Sequence, residues 1–298
     1  MKLHNLVDVI YGGVRKVVGA TSLMGPARRL AGPAVGRILY RLSPGGTGPA
    51  QLNGHAMYLA PSGKFPPLAM AMDRYEPATT RVFQDTAQFG MVVIDIGAHV
   101  GYYTLLAAKL VGPSGKVYAF EPEPGNHDTL LKNIELNKYA NISAAQTALS
   151  DRNGKATIYL SGLDTGRHSL YQHGLPEQGN ASVETTTLDS FLESENWPDV
   201  GLIKVDVEGA EVAVLDGMVE LLDRAPGLKL IIEFNPVLLK SAGVAPASFL
   251  GKIRTLGFQM SSIDDSDGIS LLTAGDDSEL TDRLLAADSS VNLFCTKE

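Results

Sequence analysis

Two acidic side chains stand at the ends of apolar segments, where each could bind a polar ligand. Asp95 ends one segment and is followed by the glycine-containing turn 97–101, while Glu121 ends the next segment along the chain. Apolar residues then recur at helical spacing after the turn, which predicts a strand, a tight loop and a helix, as in the first crossover of a nucleotide-binding α/β domain. A carboxylate at the end of the second strand can accept hydrogen bonds from both hydroxyls of a ribose. The chemistry expected here is therefore nucleoside binding.

The turn favours one nucleoside ligand over another. Dinucleotide-binding turns use three glycines, of which the middle one lets the backbone approach the pyrophosphate. His99 occupies that middle position, between Gly97 and Gly101, and its ring would crowd a pyrophosphate. The loop N–H groups suit a smaller ligand with a carboxylate, and Asp95 could neutralise an amine, as S-adenosylmethionine requires. A glycine turn of an unrelated α/β protein remains the alternative.

Six segments in a fixed order carry a broader pattern. They are residues 75–77, 95–104, 120–122, 187–191, 203–211 and 233–234. Together they resemble the FkbM-like methyltransferases, a branch of the Rossmann-like enzymes that depend on S-adenosylmethionine. Members of that family transfer the methyl group mostly to a hydroxyl oxygen of sugars, glycans, polyketides and other natural products. The family usually has asparagine where this chain has His99, so the resemblance implies no role for that ring.

The residues and the resemblance together give a set of cofactor-binding candidates. These are Glu76, Asp95, Gly97, Ala98, His99, Gly101, Glu121, Pro122 and Asp206. The cofactor implied is S-adenosyl-L-methionine, and the acceptor is expected to be a small molecule or glycan with a hydroxyl group. A nicotinamide-dependent oxidoreductase on a related fold and a non-catalytic scaffold that retains the fold are the alternatives.

Acidic residues at two further strand ends are candidates for the general base. Asp206 and Glu208 follow the fourth core strand and Glu233 lies in the fifth, and ligands of doubly wound sheets bind at the carboxyl ends of the strands. His168 is a fourth candidate, from a polar loop. The alternative is that Glu208 and Glu211 are carboxylates that flank a helix start and are stabilised there by the helix dipole. The three carboxylates could also hold a divalent cation, but their spacing is no metal signature, and we assign no metal ligand.

The elements that must position these residues alternate between strand and helix. Core strands are predicted at 91–95, 116–121, 142–147, 201–206, 228–234, 258–263 and 291–296, and helices at about 101–111, 125–138, 210–223 and 246–256. This order predicts a Rossmann-like, doubly wound, mostly parallel seven-stranded sheet of the class I methyltransferase type. Residues 50–298 form that domain, with an insertion at about 154–196 that could cover a ligand. A basic N-terminal helical segment is expected over residues 1–45.

The composition limits the class of protein and the cellular compartment that we expect. The chain has 298 residues, of which 44% are hydrophobic and 19% charged, enough to bury a sizeable core. It has no apolar run of about 18 residues that could span a membrane and no convincing signal peptide. The single cysteine, Cys295, fits a reducing compartment, so a cytoplasmic location is expected.

Charge is uneven along the chain. The net charge is −8, yet residues 1–45 are rich in lysine and arginine and contain one acid, Asp8. Such a segment could contact an anionic membrane, pack on the acidic domain or extend freely, and we do not favour membrane contact. Nucleic acid is not an expected partner, because the main domain is acidic and lacks a binding module. The sequence leaves the oligomeric state open.

Overall fold

The computed structural model describes residues 49–59, 75–162, 165–172, 177–265 and 268–297. The predicted helical segment 1–45 lies outside these residues.

An eight-stranded sheet forms the centre of the domain. Its strands are β3 (Val92–Ile96), β4 (Lys116–Phe120), β5 (Ile142–Ala145), β9 (Val200–Val205), β10 (Lys229–Phe234), β11 (Phe258–Asp264), β12 (Gly268–Leu272) and β13 (Val291–Lys297). They lie in the order β12-β11-β13-β10-β9-β3-β4-β5. The pairs among β10, β9, β3, β4 and β5 are parallel, whereas β13 and β11 run antiparallel to their neighbours. The predicted fold class is confirmed, and β12 adds an edge strand to the seven that the sequence predicts.

Helices lie between these strands. They are α1 (Pro77–Thr86), α2 (Tyr102–Val111), α3 (Pro124–Asn137), α4 (Leu188–Ser194), α5 (Glu211–Asp216), α6 (Val219–Arg224), α7 (Pro236–Ser241), α8 (Pro246–Thr255) and α9 (Asp277–Ala287). Adjacent residues Val93 and Ile94 of β3 belong to different core clusters, because side chains alternate between the faces of a strand. One cluster includes Leu105 of α2 and the other includes Val214 of α5. Helices therefore cover both faces of the sheet.

The helix predicted over 210–223 is wrong in one respect, because α5 and α6 are separate. Gly217 lies between them, and a Cβ atom built on it would stand 2.0 Å from the carbonyl oxygen of Ser150. The chain bends at this glycine because the backbone must pass close to Ser150. Helical spacing alone does not reveal such a contact.

Two smaller sheets complete the described part of the chain. Strands β1 (Ala50–Leu52) and β2 (His55–Met57) form a hairpin. Strands β6 (Ala148–Leu149), β7 (Gly154–Ser161) and β8 (Glu177–Thr186) form a three-stranded sheet in the order β6-β8-β7. The second of these sheets contains most of the ordered structure in the region that the sequence predicts to be an insertion. Among the described residues, no helix is long and apolar enough to cross a membrane.

The order of the strands determines where a ligand can bind. The chain runs outward from β3 through β4 to β5, and then returns to place β9 on the other side of β3. Ligands of doubly wound sheets bind outside the carboxyl ends of the strands at such a switch point. The carboxyl ends of β3, β4 and β9 are therefore the expected site.

Candidate functional site

An open crevice lies at these three strand ends, and the space between its walls, including the part open to solvent, is about 560 Å³. Its walls combine apolar side chains from the sheet with acidic and amide side chains. The lining includes Ile96, Gly97, His99, Phe120, Glu121, Pro122, Asn126, Ile158, Thr165, His168, Leu170, Asp206 and Glu208. The β7–β8 region thus supplies one wall and the central sheet the other.

The structure brings most of the predicted site residues to this crevice. Those that line it are Gly97, His99, Glu121, Pro122, His168, Asp206 and Glu208. Glu76, Asp95, Ala98, Gly101 and Glu233 are not among the lining residues.

The two turn glycines are needed for packing inside the protein. Gly97 has φ +81°, and a Cβ on it would stand 1.8 Å from the carbonyl oxygen of Asp206. Gly101 has φ +98°, and a Cβ there would stand 2.6 Å from Leu130 Cδ1. Both positions require a left-handed backbone that glycine adopts freely. Gly97 therefore lets the end of β9 approach the turn.

The N–H groups of the turn have internal acceptors. The N–H groups of Gly97 and Ala98 both donate to the Phe120 carbonyl oxygen at 3.0 Å, and the His99 N–H donates to Glu121 Oε2 at 2.8 Å. These three N–H groups tie the turn to the end of β4, and the binding of a ligand carboxylate at the turn stays a prediction.

The backbone conformation of His99 explains why asparagine is the usual residue at this position in the family that the sequence resembles. Its φ is +50°, a left-handed conformation in which asparagine, aspartate and histidine are enriched. Its Nε2 atom lies 2.8 Å from Thr165 Oγ1. Histidine thus keeps the backbone geometry of the turn and adds a contact to the opposite wall.

Glu121 lies at the end of β4 and is only 5% exposed. Besides the His99 N–H, it accepts a hydrogen bond from the Glu123 N–H, on Oε1 at 2.9 Å. Burial raises its pKa to about 7, although these hydrogen bonds oppose the rise. A carboxylate has about four acceptor sites, so Glu121 keeps capacity for ligand hydroxyls.

Asp95 is buried behind the turn. Its Oδ2 accepts a hydrogen bond of 2.5 Å from the Thr104 hydroxyl, and burial raises its pKa to about 6. Asp95 is not among the residues that line the crevice, and its contact with a ligand amine stays a prediction. In this structure Asp95 connects the end of β3 to α2.

Asp206 and Lys204 form an ion pair at the end of β9. Lys204 Nζ lies 2.8 Å from Asp206 Oδ2, and the exposed fractions of the two side chains are 1% and 25%. Burial alone would lower the pKa of Lys204, but the negative charges of Asp206 and Glu76 have the larger effect, so the pKa of the lysine is raised. The sequence analysis missed Lys204, because a lysine within an apolar strand gives no signal of its partner.

Glu208 and Glu233 lie beside Asp206. One carboxylate oxygen from each of the three residues lies within 4.8 Å of the others, so the group could hold a metal ion. Burial, followed by the charges of Asp206 and Glu208, raises the pKa of Glu233 well above its usual value. Glu208 has φ +52°, and its carbonyl oxygen accepts a hydrogen bond of 2.6 Å from Ser169 Oγ.

Glu76 lies at the start of α1, away from the crevice lining. Its Oε2 accepts hydrogen bonds from Tyr103 Oη at 2.8 Å and from Asn292 Nδ2 at 3.2 Å. Burial raises its pKa, and the charge of Lys204 opposes that rise. Glu76 therefore contributes to the charge balance around Lys204.

His168 lines the crevice, and a contact with the backbone fixes the tautomer of its ring. The Ser161 N–H donates to His168 Nδ1 at 3.0 Å, so this nitrogen must carry a lone pair. The neutral ring then carries its proton on Nε2. In this form His168 is a hydrogen-bond donor at Nε2 and cannot accept a proton there.

The crevice wall suits a nucleoside with free hydroxyls. Glu121 and the side-chain oxygen of Asn126 are both acceptors, and the Asn126 oxygen is buried without a hydrogen-bond partner in the described structure. Phe120, Ile158 and Leu149 supply apolar surface nearby. These residues fit a ligand with a flat apolar base and a ribose that donates hydrogen bonds.

Known proteins share this sequence pattern. The family model described as "Methyltransferase FkbM domain" matches residues 95–260, which is more than half of the chain.

"Methyltransferase 1" of Beauveria bassiana is 30% identical over 144 residues, which cover 42% of this chain and 57% of that protein. "Hexuronic acid methyltransferase AglP" of Haloferax volcanii is 27% identical over 149 residues, covering 50% and 59%. "2-O-methyltransferase NoeI" of Sinorhizobium fredii is 28% identical over 147 residues, covering 45% and 59%. The chain thus spans about three fifths of the length of the curated relatives it matches.

Proposed function

The chain belongs to the FkbM methyltransferase family, and from this premise we propose that it methylates a hydroxyl oxygen of a sugar, a glycan or another natural product. The cofactor that this family implies is S-adenosylmethionine, which supplies an electrophilic methyl group on sulfur when bound. The observation that carries the proposal is the crevice at the ends of β3, β4 and β9, with Glu121 and Asp206 on its wall.

Glu121 and the turn residues would hold the nucleoside. Glu121 is fixed by two backbone N–H groups, so its remaining acceptor sites have a defined direction. Gly97, His99 and Pro122 border the same space. Glu76, Asp95, Ala98 and Gly101 would support this wall from behind rather than touch the ligand.

Asp206 and Glu208 would accept the proton of the acceptor hydroxyl. Both line the crevice, and a positioned general base contributes roughly 10²- to 10⁴-fold in rate. The contact with Lys204 fixes the Asp206 carboxylate. Holding the hydroxyl in line with the methyl group is the larger contribution, potentially about 7–11 kcal/mol.

Charge on the crevice wall favours a neutral acceptor. Asp206 and Glu208 line the crevice, and no lysine or arginine is found among the described lining residues. Lys204 is buried and paired with Asp206. Two relatives are named as a hexuronic acid methyltransferase and a 2-O-methyltransferase, which supports a sugar hydroxyl. Like charges repel in a site of low dielectric, so we propose a neutral sugar rather than a hexuronate.

Family membership favours methyl transfer over the two alternatives from the sequence. An oxidoreductase would bind NAD(H), and a scaffold would bind neither cofactor. Both alternatives are separated from the proposal by calorimetry with S-adenosylhomocysteine and with NADH. Binding of NADH alone, or of neither compound, would refute the proposal.

The acceptor class is tested with labelled methyl transfer. The full chain is incubated with S-adenosylmethionine that carries a tritiated methyl group, together with a neutral methyl hexoside or the matching hexuronic acid. We expect label in an alkali-stable ether of the neutral hexoside, and at least tenfold less in the hexuronate. Label in the hexuronate alone, or in a methyl ester, would contradict the neutral-acceptor proposal.

A further inference from the structure

Asn126, in the first turn of α3, has a side chain that the site as described so far does not explain. It is 1% exposed and lines the crevice next to Glu121. Its Nδ2 donates to the Thr165 carbonyl oxygen at 3.0 Å. The side-chain oxygen, Oδ1, is buried and has no hydrogen-bond partner in the described part of the chain.

The orientation of this amide follows from its neighbour. A carbonyl oxygen can only accept, so the atom of Asn126 that faces Thr165 must be the NH₂ group. The oxygen is then left over, and an unpaired buried acceptor is destabilising. Natural proteins keep such groups where a ligand or an ordered water supplies the missing donor.

Glu121 and Asn126 both line the crevice, and a hydrogen bond from the Asn126 side chain stabilises the charged form of the Glu121 carboxyl group and so opposes the rise in its pKa. Each Glu121 oxygen already accepts one backbone N–H, from His99 or Glu123. Both residues line the crevice and both offer acceptor oxygens, as a ligand with two adjacent donors requires. The vicinal hydroxyls of a ribose are such a pair.

We infer that Asn126 and Glu121 share the ribose of the cofactor, with Asn126 Oδ1 accepting from one hydroxyl and Glu121 from the other. This inference rests on the proposed function and changes it in one respect, because Glu121 no longer takes both hydroxyls alone. The contact of Asn126 Nδ2 with Thr165 keeps Oδ1 in place for the ribose. Asn126 is thus a binding residue for the cofactor.

Calorimetry with S-adenosylhomocysteine and its 2′-deoxy and 3′-deoxy analogues tests the inference on the full chain. Asn126→Leu, which is similar in size but apolar, should bind S-adenosylhomocysteine about tenfold more weakly. It should also lose the wild-type discrimination against one of the two deoxy analogues. Glu121→Gln should lose discrimination against the other analogue.

Asn137→Leu is the matched control on the same helix. Asn137 donates to the Ala56 carbonyl oxygen and accepts from the Ala56 N–H, away from the crevice lining. We expect this variant to lower stability and to leave the affinity for S-adenosylhomocysteine within twofold of wild type. A similar loss of affinity in this control and in Asn126→Leu would overturn the inference, because it would indicate a general effect on α3.

The possible results distinguish a failure of this inference from a failure of the proposed function. Unchanged affinity in Asn126→Leu, or an equal loss for all three ligands, refutes the shared ribose and leaves methyl transfer standing. If wild type itself fails to bind S-adenosylhomocysteine, the proposed function fails. Should Asn126→Leu not fold, a crystal structure of the wild-type complex decides: Oδ1 within about 3.2 Å of a ribose oxygen supports the inference, and a larger separation refutes it.

Discussion

The ammonium group of Lys204 lies 2.8 Å from the carboxylate of Asp206, although only 1% of the Lys204 side chain is exposed. Burying a lysine is costly unless an opposite charge is close. The two residues are on the same side of β9 because they are two positions apart, the repeat of a strand. The position of the base candidate therefore depends on this ion pair, which also balances the Lys204 charge together with Glu76.

Asp206→Asn should lower both turnover and stability. The substitution leaves the buried Lys204 charge without its nearest partner, and breaking a buried pair typically costs about 3–5 kcal/mol. We expect a loss of roughly 3 kcal/mol in urea unfolding, together with at least a hundredfold loss of methyl transfer. The variant should still bind S-adenosylhomocysteine to within a few fold.

Asp216→Asn serves as the control for that prediction. Asp216 pairs with Lys252 at the surface, where the side chains are 46% and 30% exposed, and exposed pairs contribute about 0–1 kcal/mol. If Asp206→Asn is no more destabilising than this control, the buried pair does not have the role we give it. If its turnover equals that of wild type, Asp206 is not the base.

Gly97→Ala should be severely destabilising. The new Cβ would stand 1.8 Å from the Asp206 carbonyl oxygen at a backbone φ of +81°, so either the turn or the end of β9 must move. Gly243 is a matched control, because it has φ +80° and nothing within 4 Å of its Cβ position. We expect Gly243→Ala to cost about 1–2 kcal/mol, and Gly97→Ala to cost several kcal/mol more in chemical denaturation. Equal losses would show that Asp206 does not constrain the turn.

His168 should be a donor and not a proton acceptor. The hydrogen bond from the Ser161 N–H to Nδ1 predicts that the neutral ring carries its proton on Nε2. Long-range ¹H–¹⁵N NMR of the free protein, assigned with His168→Gln, should report this tautomer. Glutamine can donate from a similar position, so His168→Gln should keep more methyl transfer than His168→Ala. A proton on Nδ1 would contradict this role.

Stability should fall as the pH rises from about 4.5 to 7, in part because of Glu211. This residue is 1% exposed, and burial raises its pKa from 4.5 to about 7. The folded state therefore binds the Glu211 proton more tightly than the unfolded state. The stability that this proton adds is complete below pH 4.5 and is lost as the pH rises past 7. The shift corresponds to a loss on the order of 3 kcal/mol. Urea unfolding of Glu211→Gln should show a shallower decline.

The exposed residue Glu184, which pairs with Lys155 at the surface, gives a control for this pH dependence. Glu184→Gln should follow the wild-type curve. A wild-type stability that rises between pH 5 and 7, or an unchanged slope in Glu211→Gln, would show that Glu211 is not held in a desolvated state.

The sequence predicts the sheet well because its core strands are apolar on both faces. Runs such as Val92-Val93-Ile94 and Leu228-Lys229-Leu230-Ile231-Ile232 have the composition of buried parallel strands, and the observed strands begin and end within two residues of the predicted ones. The helix over 210–223 was misjudged because its break depends on Gly217 and Ser150, which are distant in the chain. Periodicity contains no information about that contact.

The candidate site was predictable where its chemistry depends on residues at strand ends. Glu121, Asp206 and Glu208 line the crevice as expected, because parallel strands bring their carboxyl ends to one edge. Lys204 and Asn126 were missed, since their importance comes from burial and from partners that only the folded chain provides. The internal acceptors of the turn N–H groups, the Phe120 carbonyl oxygen and Glu121, could not be predicted, because they depend on how the turn folds against the end of β4.

The most direct test of nucleoside binding at Glu121 is the affinity for S-adenosylhomocysteine measured by calorimetry between pH 5 and 8. Burial raises the pKa of Glu121 to about 7 in the free protein, and a hydrogen bond from a ribose hydroxyl favours the ionised carboxylate. Affinity should therefore rise by up to tenfold per pH unit below about pH 7 and then level off, whereas Glu121→Gln should bind more weakly and with little pH dependence. Tight binding in Glu121→Gln, with the pH dependence of wild type, would contradict the account.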